Sequence, residues 1–365
     1  MNPRERFEMA PRLDAGSDDR EGGRALAREQ PEALERLVAQ EAELAEVSRL
    51  LTARAPSIVR LIAHGSSDNA AAYGVYAFGL LAGWTALRDS ITLTVYYDAQ
   101  LDLASSVVVA LSQSGETPDV VEYVVRARER GAPTIAVTND PESDLGTAAD
   151  VTFPLAAGPE RAVAATKTYL NTLAALALIA AAVSGREREV GDGIRRVAEL
   201  LAGMLDPIER AVPAIATTFA YVARMYVIGR GIEFATARET ALKLTETCRV
   251  AAEPLTATDL AHGPIAALDP LFPVWTIASR DEALPAVVDA AARIREAGAT
   301  VVASGNASSE VAGAAYELPV PEPPIPLLAP LLSVVPGQVF AGALARAKGL
   351  DPDKPVGLSK ITRAR

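Results

Sequence analysis

The chain reads as α/β: two doubly wound parallel-sheet domains in tandem. Apolar runs of strand length alternate with helical stretches from about residue 57 onward. One of them, Ser106 to Leu111 (S-V-V-V-A-L), is continuously apolar and rich in β-branched residues, as a strand buried on both faces of a parallel sheet requires. The pattern then recurs. Gly65 pairs with Gly231 and Ser114 with Arg280 at a separation of 166 residues, and Asn139 pairs with Asn306 at 167.

In chain order, residues 1–28 are charged, Gly-containing and weakly periodic, and are expected to form a mobile leader. Arg4, Glu5, Arg6 and Glu8 leave no apolar core for a signal peptide. Pro31 to Ala53 places Leu34, Leu37, Val38, Leu44, Val47, Leu50 and Leu51 at helical spacing and predicts one amphipathic helix ahead of the first sheet. Ser57 to Ala63 predicts the first strand and Asp68 to Leu81 a helix; Pro133 to Thr138 and Val151 to Leu155 predict further strands. Thr166 to Val183, rich in Ala and Leu, predicts a helix buried on most sides. In the second half, Tyr226-Val227-Ile228 leads into Gly229-Arg230-Gly231. There Phe272 to Ala278 matches the strand before residue 112, with a helix at Ala283 to Ala297 and a strand at Thr300 to Ala303. The expected division is a leader at 1–28, domains at 29–205 and 206–350, and a tail at 351–365.

With 365 residues, half of them hydrophobic, the chain can fill one large or two ordinary cores, and two domains is the better expectation. A net charge of −11 argues against nucleic acid or an anionic membrane surface as partner, because either needs a basic face. Cys248 is the only cysteine, which excludes a disulfide framework and fits a reducing, cytoplasmic location. His64 and His262 are the only histidines, too few for a typical zinc site, so no metal is expected. No uninterrupted apolar run reaches the length of a membrane span.

The most informative stretch is Leu111-Ser112-Gln113-Ser114-Gly115-Glu116-Thr117-Pro118-Asp119. Thr117 stands at a helix N-cap, Pro118 at the first helical position and Asp119 in the first turn. Val120, Val121, Val124 and Val125 form an apolar stripe, Arg126, Arg128 and Arg130 crowd the last turns, and Gly131 ends the helix. A Ser-rich turn on its own merely caps a helix. An anion at this mouth, however, would meet unpaired backbone N–H groups, the positive end of the macrodipole and the hydroxyls of Ser112, Ser114 and Thr117. The second half carries Ser279-Arg280-Asp281-Glu282 at the same place, where the acidic pair would repel phosphate, so one site, in the first half, is expected. Elsewhere Lys243 and Glu246 share a helix face, ordinarily a surface ion pair, and a lone His262 before Gly-Pro is ordinarily structural. His64 reads as packing or capping beside the end of the first strand.

The intact string at 111–117 resembles the phosphosugar-binding signature of SIS (sugar isomerase) domains. Five further pieces match in order: His64-Gly65-Ser66-Ser67, Val163-Ala164-Ala165-Thr166-Lys167, Glu239 through Glu246, His262-Gly263-Pro264, and the tail from Asp351 to Lys360. Together, from Glu29 to the C-terminus, they resemble the isomerase portion of glucosamine-6-phosphate synthase and the SIS-type glucosamine-6-phosphate deaminases. The resemblance implies two flavodoxin-like SIS domains. It implies a sugar phosphate held by Ser67, Ser112, Gln113, Ser114 and Thr117, with Val163, Ala165 and Ser359 at the sugar. It gives Glu246 the role of base between C1 and C2, with Lys243 keeping it ionised, and Lys360 the role of a tail lysine that closes the pocket and reaches the sugar carbonyl. His262 becomes the ring-opening acid/base in the neighbouring subunit's site, which implies a homodimer with shared active sites and no metal, nicotinamide or pyridoxal cofactor.

The chain departs from that pattern in places. Ala165 stands where the family synthase has serine, and Thr245 and Ala261 stand where it has lysines. The synthase's glutaminase nucleophile is an N-terminal cysteine, whereas position 2 is Asn2 and Cys248 lies deep in the second half. The expected reaction is therefore removal of ammonia from glucosamine 6-phosphate. A fructosamine-6-phosphate deglycase, a galactosamine-6-phosphate deaminase or a plain phosphosugar isomerase would use the same cradle. A non-catalytic sugar-phosphate sensor is the reading from another class; the absence of a basic helix-turn-helix and the presence of Glu246, His262 and Lys360 speak against it.

Overall fold

The computed structural model of the chain describes residues 27–54, 56, 58–160, 162 and 164–358, so residues 1–26, Val163, Ser359 and Lys360 lie outside the described residues. Just before Gln30, Ala27 is buried and Arg28 pairs with Asp206 and Glu209.

Two helices, α1 (Gln30–Val38) and α2 (Glu41–Arg54), replace the single one expected over 31–53. The chain turns at Ala39 and Gln40, because the first packs on two later helices, α6 (Lys167–Ala182) and α7 (Glu187–Thr218), while the second packs on α6 and on a strand, β5 (Val151–Pro154). One straight helix could not follow both surfaces.

The first half forms a five-stranded parallel sheet from β1 (Ile58–Ile62), β2 (Thr85–Arg88), β3 (Ser106–Leu111), β4 (Thr134–Thr138) and β5, in the order β2-β1-β3-β4-β5. The second half repeats this with β6 (Arg224–Ile228), β7 (Ala251–Leu255), β8 (Pro273–Ile277), β9 (Thr300–Gly305) and β10 (Tyr316–Pro319), in the order β7-β6-β8-β9-β10. Both are the 2-1-3-4-5 doubly wound arrangement, whose ligand crevice lies at the carboxyl ends of the first and third strands.

Helices α3 (Gly65–Ala77), α4 (Pro118–Glu129) and α5 (Asp144–Ala148) complete the first half with α6. The second half uses α8 (Glu233–Cys248), α9 (Ala257–Ala261), α10 (Leu284–Glu296) and α11 (Ala329–Ala347). Between the halves, α7 runs unbroken through the expected boundary at 205/206. Val190, Ile194, Val197, Leu201, Leu205, Ile208 and Val212 make its buried stripe at three- and four-residue spacing.

The two halves share a core. In β3, Val107, Val109 and Leu111 face a central cluster, while Val108 and Ala110 face an outer one with Val120 and Val124 of α4. β8 does the same, Trp275 and Ile277 inward and Val274 outward. The central cluster joins both sheets through α6, α7, α8 and α11. The segment Pro326–Ala347 is long and apolar enough to span a membrane, but its 18-residue apolar window is 83% buried within this core. One consequence of the shared core matters for chemistry: α8, which belongs to the second sheet, packs directly on α3, which belongs to the first.

Candidate active site

β1 and β3 are neighbours in register, Ile62 beside Ala110, so the loops that leave them, 63–67 and 112–117, lie side by side at the switch point. Ser112 Oγ accepts from the Gly115 N–H at 3.2 Å and lies 3.2 Å from Thr117 Oγ1; Ser114 Oγ accepts from the Glu116 N–H at 3.2 Å. Thr117 occupies the N-cap position of α4, but its side chain makes no cap bond there. The first-turn N–H groups are thus left without a capping side chain, which suits an anion better than a closed cap would. Ser67, in the first turn of α3, is half-buried. Ser67 on one side and Ser112, Gln113, Ser114 and Thr117 on the other thus stand on the two loops that leave neighbouring strands.

Gly115 holds the loop in shape. Its φ is +68°, and a Cβ there would stand 1.9 Å from Ser143 Oγ, itself pinned by donating to the Asp140 carbonyl at 2.6 Å. Gly115→Ala should cost about 1–2 kcal/mol for the left-handed backbone alone, with the overlap adding to it. A lowered Tm and a parallel loss of affinity for all sugar phosphates are expected; unchanged affinity would show that the loop does not hold the phosphate.

The second component is one face of α8. Ser66 Oγ and Asn69 Nδ2 of α3 each donate at 2.9 Å to the carboxylate of Glu239, which is fully buried. One turn on, Lys243 Nζ lies 3.4 Å from Glu239 Oε1 and donates to Glu246 Oε2 at 2.6 Å. Lys243 is 3% exposed and Glu246 24%. This is no surface ion pair. Burial by itself pulls the Lys243 ammonium down, but Glu239 and Glu246 outweigh it and hold the group above its ordinary value, so it stays charged. Burial pushes the Glu239 carboxyl up, against Lys243 and its two donors. Glu246 lies two turns beyond the contact with Ser66, about 10 Å along the helix, the length scale of a hexose phosphate anchored at the cradle.

Sequence reasoning gives Glu239 no role; its signal is a carboxylate four residues before a lysine on a helix that must be buried. Glu160 is a second such residue. Its buried carboxylate accepts from the backbone N–H groups of Thr166, Lys167 and Thr168 and from the hydroxyls of Thr166 and Thr168, closing the start of α6 and fixing the turn at 164–166. Ala164, Thr166, Lys243, Thr247, Gln338 and the tail residue Asp353 then line one cavity of about 90 Å³. The expected sugar-binding turn and the start of the tail therefore meet at Lys243, with Ala165 half-buried in the turn. Val163, Ser359 and Lys360 lie outside the described residues.

His262 is not brought to this site within the chain. α8 begins at the carboxyl end of β6, and Glu246 lies roughly 20 Å along it. β7, parallel to β6, returns to the starting edge, and His262 follows at the end of α9, exposed.

The second half's own crevice is filled from within. At the 166-residue offset, Ser67, Ser112 and Thr117 become Glu233, Ala278 and Ala283. The Glu233 carboxylate is buried and accepts from Ser279 at 2.5 Å, Thr236 at 2.6 Å and Ser333 at 2.7 Å. Burial raises its pKa, and these hydroxyls only partly oppose that. A folded-state pKa above the unfolded one gives stability that is present below the ordinary carboxylate range and lost as pH rises through the raised value. Glu233→Gln cannot ionise, so its Tm relative to the unchanged chain should rise as melts are taken from about pH 4 to 8. A difference flat with pH would contradict the buried charge.

Comparison with known proteins agrees with this anatomy. Residues 53–182 and 219–347 each match the SIS domain family. The glutamine–fructose-6-phosphate aminotransferase (isomerizing) of Aeropyrum pernix is 36% identical over 311 residues, covering 82% of this chain and 50% of the relative. That of Mycolicibacterium smegmatis is 37% identical, covering 78% and 48%. The chain thus spans about half the length of the curated relatives it matches. Among solved structures, a protein named for phosphosugar isomerase activity from Silicibacter pomeroyi DSS-3 superposes with a TM-score of 0.79 at 32% identity, over 91% of this chain and 99% of that one. The C-terminal domain of glucosamine-fructose-6-phosphate aminotransferase from Francisella tularensis shares the fold, with a TM-score of 0.83 at 24% identity over 93% and 100%. Two profile matches that fall on the two repeated sheets and leave α7 as the connector show that the chain belongs to the SIS domain family, with two SIS domains in tandem.

Proposed function

We propose that the chain is an aminosugar-phosphate isomerase working as a deaminase, which converts glucosamine 6-phosphate and water into fructose 6-phosphate and ammonia. The observation that carries the reading is the buried face of α8, where Lys243 joins Glu239 to Glu246 beside the hydroxyl-lined crevice. The Lys243 ammonium fixes the direction of the Glu246 carboxylate, as a positioned base requires, and in this reading the crevice fixes the far end of the substrate. The relatives named for fructose 6-phosphate support the sugar.

In the open aldehyde form, Glu246 takes the proton from C2, the electrons move through C1 onto O1, and O1 takes up a proton from water to give an enolamine. Return of a proton to C1 gives the ketimine at C2, and water displaces ammonia from it to leave the ketose. Ring opening needs an acid/base of its own, the role given to His262 from a second copy of the chain in a homodimer. The same steps run in either direction. Release is the direction proposed, with water as the second substrate; Cys248 takes no part in it, being buried and donating to the Ala341 carbonyl, with burial pushing its thiol up.

Incubation of the purified chain with glucosamine 6-phosphate, with ammonia and fructose 6-phosphate measured together, tests this. Equal release of both is expected. Fructose 6-phosphate formed from another aldose phosphate with no ammonia from any amino sugar would leave the isomerase and remove the deaminase.

A further inference from the structure

His64 precedes Gly65, the first residue of α3, and occupies the N-cap position, yet its imidazole makes no cap bond. Instead Nε2 lies 2.8 Å from Oδ2 of Asp119 in the first turn of α4. One side chain therefore bridges the two loops that build the crevice. Asp119 is an awkward neighbour for a phosphate, because its carboxylate stands at the positive end of α4 with the same sign as the ligand. The side chain is only 12% exposed, and Oδ1 is buried with no hydrogen-bond partner among the described residues. The other acids nearby are matched or solvated. Asp68 meets Arg88 at 3.2 Å and Arg238 at 2.7 Å, and Glu116 is exposed. Beyond the end of α4 itself, the side chain that meets Asp119 among the described residues is His64, which is 55% exposed.

We propose that His64 is a specificity-determining residue of the cradle: held on Asp119, its ring in the protonated form cancels the carboxylate at the mouth of α4 and sets the preference for a phosphorylated over a neutral ligand. The proposal rests on the reading that residues 112–117 hold the substrate phosphate. It also gives position 64 a demand that a helix cap does not make, since a cap needs an acceptor and this role needs a cation.

Glucitol 6-phosphate, which has no carbonyl and cannot turn over, reads binding apart from catalysis, with glucitol as the unphosphorylated control in calorimetry at fixed ionic strength. The unchanged chain should bind the alditol phosphate and not glucitol. His64→Gln, which can still hydrogen-bond Asp119 but carries no charge, should weaken binding about tenfold, the scale of one partly exposed charge pair. His64→Arg should stay within about threefold, and adding Asp119→Asn to His64→Gln should restore the affinity. His64 is exposed, so its variants leave the core alone, and Asp119→Asn keeps the shape of the side chain it replaces; equal Tm values are the check on both. Affinity unaffected by His64→Gln, or no rescue by Asp119→Asn, removes this proposal alone. No binding of the alditol phosphate by the unchanged chain removes the cradle reading and this proposal with it.

Discussion

Glu246→Gln is expected to lower kcat by roughly two to four orders of magnitude while KM stays near its original value, the effect of removing a positioned base without removing a contact. The amide oxygen of glutamine can still accept from Lys243 Nζ, which now donates to Glu246 at 2.6 Å, so the α8 face keeps its shape. Lys243 also keeps a carboxylate partner in Glu239 at 3.4 Å, so no buried cation is stranded. The contact of Glu239 with Ser66 lies about two helical turns away and is untouched. Exchange of the C2 hydrogen with solvent deuterium gives the direct readout, because it follows proton abstraction whether or not ammonia leaves. Exchange at the original rate in the variant would mean that another group is the base.

How much of this was legible depends on whether a residue's role is local. The strand at Ser106 to Leu111 announces itself because both its faces are buried, and the loop after it carries its chemistry in consecutive residues. The edge strands β2, β7 and β10 do not announce themselves: each is partly exposed, so none makes a continuous apolar run. α7 has a clear buried stripe, but Pro207 and Pro213 within it read as breakers until the packing shows that the helix tolerates them. The single helix expected over 31–53 turned out to be two because nothing in periodicity reports which surfaces a helix must follow.

By spacing Lys243 and Glu246 read as a surface pair; tertiary structure buries Lys243 and leaves Glu246 partly exposed. The difference lies in α3, whose Ser66 and Asn69 come from more than 160 residues away to meet Glu239. The second crevice shows the same limit in reverse. Its acidic residues at 281 and 282 did argue against phosphate, but the group that fills it is Glu233, whose partners Ser279 and Ser333 are far off in sequence. Long-range partners of a buried charge leave little local trace.

Mixing inactive Glu246→Gln chains with inactive His262→Ala chains should restore activity if, as the proposed homodimer requires, each site takes its base from one copy and its ring-opening group from the other. Within a chain Glu246 lies roughly 20 Å along α8 from the carboxyl end of β6, the end of the sheet at which α9 and His262 follow β7, so the proposed reading draws the two groups from different copies. In a two-fold dimer each contact occurs twice, so a mixed dimer carries one site with both groups intact and one with neither. Random exchange makes about half the dimers mixed, which caps recovery at about a quarter of all sites. Recovery should track subunit exchange, followed by native mass spectrometry, and should vanish when the dimers are cross-linked before mixing. Using glucosamine 6-phosphate alone would confound ring opening with proton transfer, so C2 exchange in an open-chain analogue serves as the second readout. There His262→Ala chains should exchange at close to the normal rate by themselves, because their Glu246 is intact, while the Glu246→Gln chains should not. Full activity in a stable monomer, or no recovery after proven exchange, would remove the shared site and leave the base assignment standing.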